Sequence, residues 1–214
     1  MDRSGIGIIA GTYVDTHMGM DFFAAKGIVA KGYPVSSSPE EQSNLQILSP
    51  NELAEDIRKL VRRIKDEGRD TVIVYCNSLS TAVDFQAISE GEEIRIITPL
   101  SAYKSFASKY SFVGLLTANN QTSSGIEKIM LGINPEIDVV GIALLPVVIL
   151  IEANVPAKAI IEKYALNHII QFFNTIGADA IILGCTHFPY LSAELKKLTK
   201  LPILDPADTM FQML

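Results

Sequence analysis

Short apolar runs rich in isoleucine, valine and leucine recur along the chain at Ile6 to Ala10, Thr71 to Tyr75, Ile94 to Thr98, Phe112 to Leu116, Val139 to Ala143, Ala180 to Gly184 and Pro202 to Leu204. Between them lie stretches whose apolar residues return at helical spacing. This alternation predicts parallel strands joined by helical crossovers. In "SPNELAEDIRKLVRRIKDEG", Ser49 is placed to cap, Pro50 suits a first turn, Leu53, Ile57, Leu60 and Ile64 form one face, and Gly68 ends the helix. A second helix is expected from Pro156 to Ile176. The longest apolar run, Val139 to Ile151, is too short for a bilayer span and carries a glycine and a proline, so it reads as a buried strand followed by a loop. The loosest stretch is "GYPVSSSPEEQSN", Gly32 to Asn44.

Two segments follow one plan. "DEGRDTVIVYCNS" and "TIGADAIILGCTH" each run from a helix through a glycine turn and an acidic residue into an apolar strand, then a cysteine and polar residues. A structural unit used twice predicts an α/β fold of two pseudo-symmetric lobes, each a largely parallel sheet flanked by helices. Residues 1–98 with 205–214 are expected to form the Cys76 lobe and residues 99–204 the Cys185 lobe.

Composition narrows the partners. The chain has 18 basic and 24 acidic residues and a net charge of -6, which disfavours nucleic acid and anionic membranes as partners. A small anion remains open, because backbone amides and helix N-termini act locally. The start, "MDRSGIGIIAGTYVD", has no apolar signal region, so a cytoplasmic location is expected. The 2 cysteines are too few for a disulfide scaffold or a zinc site, and no metal is expected.

Both cysteines fall at the carboxyl ends of predicted strands, where parallel α/β sheets bind ligands. A cysteine at a strand end is ordinarily a small buried hydrophobe. Here both occupy equivalent positions with equivalent polar followers, Asn77 and Ser78 after one, Thr186 and His187 after the other. A nearby helix N-terminus would favour thiolate at each. Two opposed thiols suit inversion of a carbon centre: one removes a proton and the other delivers one to the opposite face. The rival reading is a cysteine hydrolase built on Cys185 and His187, which has no use for Cys76.

"VYCNSLS" and "LGCTHFPYL" resemble the paired cysteine motifs of the aspartate/glutamate racemase superfamily, the second being similar to the glutamate racemase form. "IGIIAGT", "YPVSSSPEE", "VGLLTANNQTSSG" and "LDPADT" are similar to further segments of that family. The resemblance implies cofactor-independent proton transfer at the α-carbon of an acidic amino acid, glutamate first and aspartate second, with the active site between the two lobes, in an enzyme that can form a homodimer. Carried over by position, Cys76 and Cys185 are the two bases, with His187 and Glu152 assisting on the Cys185 side. Asn77, Ser78, Thr117, Thr122 and Thr186 hold the substrate, as do Gly11 and Thr12 of the first loop, and Val35 and Ser36 supply backbone donors.

The family's Asp-Ser pair in the first loop is replaced here by Ala10 and Gly11, with Asp15 or Thr12 as substitutes if "TYVDTHMG" folds back as a loop. Glu152 has a plainer reading as the N-terminal acid of the next helix. His17 reads as a loop or helix-start residue, His168 as structural, and Met18 and Met20 as packing. "GIGIIAG" lacks the glycine spacing of a dinucleotide site. Other outcomes are a superfamily relative acting as an isomerase, decarboxylase or hydantoin-type racemase, and a non-catalytic binder of acidic amino acids.

Overall fold

The computed structural model describes residues 5–45 and 50–214, the side chain of Pro50 excepted; Ser49 and its capping role lie outside the described residues. In chain order the elements are β1 (Ile6–Ala10), α1 (Tyr13–Ala24), β2 (Lys31–Pro34), α2 (Pro39–Leu45), α3 (Pro50–Asp66), β3 (Thr71–Tyr75), α4 (Asn77–Ala82), α5 (Phe85–Glu92) and β4 (Arg95–Ile97). They continue as α6 (Leu100–Ala107), β5 (Phe112–Thr117), α7 (Asn120–Leu131), β6 (Asp138–Ala143), α8 (Leu145–Glu152), α9 (Ala157–Lys163), α10 (Leu166–Thr175) and β7 (Ala180–Gly184). A 3-10 turn (Phe188–Leu191), α11 (Ser192–Leu195), β8 (Ile203–Leu204) and α12 (Pro206–Gln212) complete the chain. No helix among the described residues is long and apolar enough to cross a membrane.

The chain divides into two compact units, Met1–Leu100 with Ala207–Leu214, and Ser101–Pro206. The first holds a parallel sheet in the order β2-β1-β3-β4, the second a parallel sheet in the order β6-β5-β7-β8. Strand for strand the two orders are the same. In such an order the winding reverses between the first and third strands of each unit, and ligand crevices form beyond the carboxyl ends at that reversal.

The repeated plan extends to the helix ends. Gly68 has φ +82 and Gly177 φ +79, the left-handed region that glycine enters without a Cβ clash. After each glycine the next amide reaches back to close the helix, Arg69 N to Ile64 O and Ala178 N to Phe173 O, as in a Schellman cap. Asp70 N then donates to Gly5 O and Asp179 N to Phe112 O, which starts β3 beside β1 and β7 beside β5.

In the first unit both sheet faces are covered. Ile9, Val72, Val74 and Cys76 pack with Leu53, Ile57, Val61 and Ile64 of α3 and with Phe85 and Ile88 of α5. The alternate residues Ile8, Ala10, Ile73 and Tyr75 pack with Phe23 of α1 and with Ala207 and Met210. This period-two division explains why β1 and β3 are apolar throughout. It also puts the Cys76 side chain on the α3 and α5 face.

Four expectations need correction. The stretch from Gly32 to Asn44 contains β2 and α2, and β2 is an edge strand ending in Pro34, where a missing amide costs no ladder bond. β6 is likewise an edge strand and only partly buried, and the residues after it form α8, with Pro146 in the first helical turn, where no amide partner is needed. The helix expected from Pro156 to Ile176 is two helices, α9 and α10, broken at Ala165, whose φ is 50. In α3 the buried stripe uses Val61, while Leu60 is half-buried against it.

Candidate active site

Parallel register decides which loops meet in the first unit. Ala10 is paired with both Pro34 and Tyr75, so Gly11, Val35 and Cys76 emerge from the sheet at one level. Cys76 is 4% exposed and is the residue before α4. Its Sγ lies 3.3 Å from Ser78 Oγ and accepts from Gln42 Nε2 at 3.4 Å. Gln42, on α2, also donates from Nε2 to Ser78 Oγ at 3.2 Å. The Ser36 hydroxyl reaches Gln42 Oε1 at 3.1 Å and Gly11 O at 2.8 Å. Gln42 thus ties the second loop to the cysteine, and the sequence reading did not select it. A lone glutamine in the polar run "PEEQSN" carries no periodicity or motif that could have singled it out.

The first loop is short, because Thr12 caps α1 through an Asp15 N to Thr12 Oγ1 bond of 3.1 Å. "TYVDTHMG" is therefore helix, not a loop folded back. Asp15 is nonetheless directed to this end: its side chain is 1% exposed and Oδ2 accepts from Gly11 N at 3.0 Å. A carboxylate four residues beyond Gly11 thus reaches back to the first loop.

In the second unit, Thr117 is paired with Ala143 and Gly184, so the residues after β5, β6 and β7 share a level. Cys185 is 7% exposed and its Sγ lies 3.6 Å from His187 Nδ1. His187 Nε2 and Glu152 Oε1 are 2.8 Å apart. Glu152 is the last residue of α8, which overturns its reading as the first acid of the next helix. At a helix C-terminus a carboxylate opposes the helix dipole, and here the imidazole is its partner. Toward an ionised carboxylate, which only accepts, Nε2 is the donor, and in the neutral form of the ring Nδ1 would then present its lone pair toward the sulfur. Cys185 is followed by a turn and a four-residue 3-10 helix that begins at Phe188. His187, rather than a helix N-terminus, is therefore the polar neighbour of this sulfur.

The remaining predicted residues divide. Asn77 and Ser78 are buried next to Cys76, and Thr186, half-buried, lies next to Cys185. Thr122 Oγ1 donates to Asn119 Oδ1 at 2.8 Å and Thr122 N donates to the same oxygen at 2.9 Å, which caps α7. This repeats the cap that Thr12 forms on α1. Thr117 has no exposed surface and its hydroxyl donates to Asn119 O, so it closes a turn instead of presenting a ligand group. Val35 and Ser36 are corrected as backbone donors: both amides donate to Gly11 O. The Gly11 amide is likewise taken by Asp15.

His17 lies within α1 on its exposed side, bonded through Nδ1 to Tyr13 O. His168 is exposed in α10 and lines an open groove of about 510 Å³ with Lys158, Glu162 and Glu194, a groove that contains neither cysteine.

A sequence profile described as Asp/Glu/Hydantoin racemase matches residues 28–214. The glutamate racemase of Limosilactobacillus reuteri (strain DSM 20016) is 25% identical over 162 residues, 72% of this chain and 60% of that protein. That of Buchnera aphidicola subsp. Schizaphis graminum is 31% identical over 146 residues, 65% of this chain and 56% of that protein. The matched part thus spans about three fifths of these curated relatives. Among solved structures, glutamate racemase from Francisella tularensis in complex with D-glutamate superposes with a TM-score of 0.70 at 17% identity, covering 100% of this chain and 80% of that one. Aspartate racemase from Picrophilus torridus does so with a TM-score of 0.71 at 19% identity, covering 96% and 90%. At these identities the structural likeness is one of fold.

Proposed function

Because the chain belongs to the Asp/Glu/Hydantoin racemase family, we propose that it interconverts the enantiomers of an acidic amino acid, glutamate first and aspartate second, without a cofactor. The observation that carries this reading is the equivalent placement of the two cysteines. Each follows the third strand of its unit, and each sulfur has polar partners, Gln42 and Ser78 for one, His187 for the other.

The reaction uses the thiols in turn. Cys76 as thiolate takes the α-proton of one enantiomer: the C–H bond breaks, an S–H bond forms, and the electron pair passes to the α-carbon and its carboxylate. The Cys185 thiol then gives its proton to the opposite face and becomes the thiolate, ready for the reverse direction. His187, oriented by Glu152, carries protons to and from Cys185. Asn77, Ser78 and Thr186 hold the substrate's ammonium and carboxylate groups. Free thiols are required throughout, which fits a reducing, cytoplasmic setting.

The test is proton NMR of L- and D-glutamate and L- and D-aspartate with the protein in deuterated water. Deuterium should enter the α-position as each enantiomer converts, and Cys76→Ala or Cys185→Ala should each abolish conversion. Racemisation that survives either change overturns the two-base assignment. Cys185, His187 and Glu152 also have the connectivity of a nucleophile, its base and an orienting carboxylate, which favours a hydrolase as the second reading. That reading predicts hydrolytic activity indifferent to Cys76→Ala.

A further inference from the structure

The two sulfurs are served by different chemistry. Beside Cys185 stands a titratable pair, His187 and Glu152, while beside Cys76 stand an amide and a hydroxyl. We infer that Gln42 is the residue that holds Cys76 in its thiolate, proton-accepting state by donating its side-chain amide to Sγ. The catalytic consequence rests on the racemase reading above; the effect on the sulfur does not.

Three contacts set the amide nitrogen toward the thiol and its oxygen toward Ser36. The Ser36 hydroxyl shares its one hydrogen between Gly11 O at 2.8 Å and Oε1 at 3.1 Å, and the Ser36 amide is bonded to Gly11 O at 2.9 Å. At the other end Nε2 donates to Cys76 Sγ and to Ser78 Oγ, which uses both of its hydrogens. Ser78 Oγ accepts from Gln42 and lies 3.3 Å from Sγ; a thiolate carries no hydrogen, so toward it the hydroxyl is the donor. Two donors converge on the sulfur. A thiolate accepts both, whereas a neutral thiol adds a hydrogen to a place already supplied with them.

Room for this arrangement comes from Gly11. A Cβ there would stand 3.3 Å from both Cγ and Cδ of Gln42 and 3.1 Å from Asp15 Oδ2, tighter than ordinary contact. The bare backbone lets the glutamine pass to the cysteine. Because an amide does not titrate, this donor acts alike across the pH range.

The chain has 2 cysteines, so protein labelled with [3-13C]cysteine gives two signals, assigned with Cys76→Ser and Cys185→Ser. In Gln42→Met, which keeps length and loses the donor, the titration midpoint of Cys76 should rise by about one pH unit, the worth of one hydrogen bond to a charged group. In Gln42→Glu it should rise further, since a carboxylate then faces the sulfur. The Cys185 signal should be unmoved in both variants, which a general loosening of the fold would not give. Enantiomers are equal in energy, so kcat/KM in the two directions must fall by the same factor, roughly tenfold. A Cys76 midpoint within about 0.2 units of wild type in either folded variant overturns the inference. Wild-type protein that fails to racemise overturns the functional reading instead and leaves the titration legible.

Discussion

Glu152 and His187 offer the sharpest test at the level of single residues. The carboxylate fixes the imidazole tautomer through a 2.8 Å contact, and the other ring nitrogen faces Cys185. Replacing Glu152 by glutamine keeps the shape and removes the charge. A hydrogen bond to a charged group is worth about 1 kcal/mol more than a neutral one, so kcat/KM should fall about fivefold. The fall must be equal for both enantiomers; polarimetry from each side measures it, and unchanged rates would remove Glu152 from the mechanism. Sequence made these residues visible unevenly. His187 announced itself two positions after a cysteine, and Glu152 required a resemblance, because only folding carries a helix end to the imidazole. Gln42 was invisible: its meaning lies in contacts with Ser36, Ser78 and Cys76, none of which leaves a local pattern.

Between elements, α3 is fastened to α5 by charge. Glu92, nearly buried at the end of α5, receives Arg62 Nε at 2.8 Å and Arg58 at 3.3 Å, and Lys65 donates to the Glu92 carbonyl at 2.6 Å. The Arg62 hydrogen bond, with Arg58 adding to it against the opposing effect of burial, holds the Glu92 carboxyl below its ordinary value of 4.5. A lowered folded-state pKa contributes stability that is present above the ordinary value and is lost as pH falls through the folded one. Glu92→Gln should therefore be less stable than wild type near neutrality, and the gap should close as pH drops below the ordinary carboxylate range. Urea midpoints of both proteins across that range check it, and a gap independent of pH would refute it. The elements themselves were legible to different degrees for a physical reason. Central strands β1, β3, β5 and β7 are buried and read as continuous apolar runs. Edge strand β2, with sequence KGYP, has no such run to show. Helix α8 is apolar nearly all round, so it has no period that distinguishes it from strand or loop.

At the scale of the whole molecule, the chain leaves its first unit at Leu100 and returns to it at Ala207. The return is a packing event: Ala207 and Met210 of α12, 2% and 1% exposed, fill the face of the first sheet formed by Ile8, Ile73, Tyr75 and Ile97. The unit that carries Cys76 is thus completed by residues far from it in sequence, while the unit that carries Cys185 is one continuous stretch with its own sheet. Met210→Ala should leave a cavity in the first core and destabilise it by about 2 to 5 kcal/mol. The loss should be local in origin, lowering hydrogen-exchange protection of β1, β3 and β4 while β5, β6 and β7 keep theirs. Exchange measured strand by strand distinguishes this from uniform weakening. Equal loss in both sheets would mean that the two units unfold as one cooperative body, and that Met210 supports Cys185 as much as Cys76.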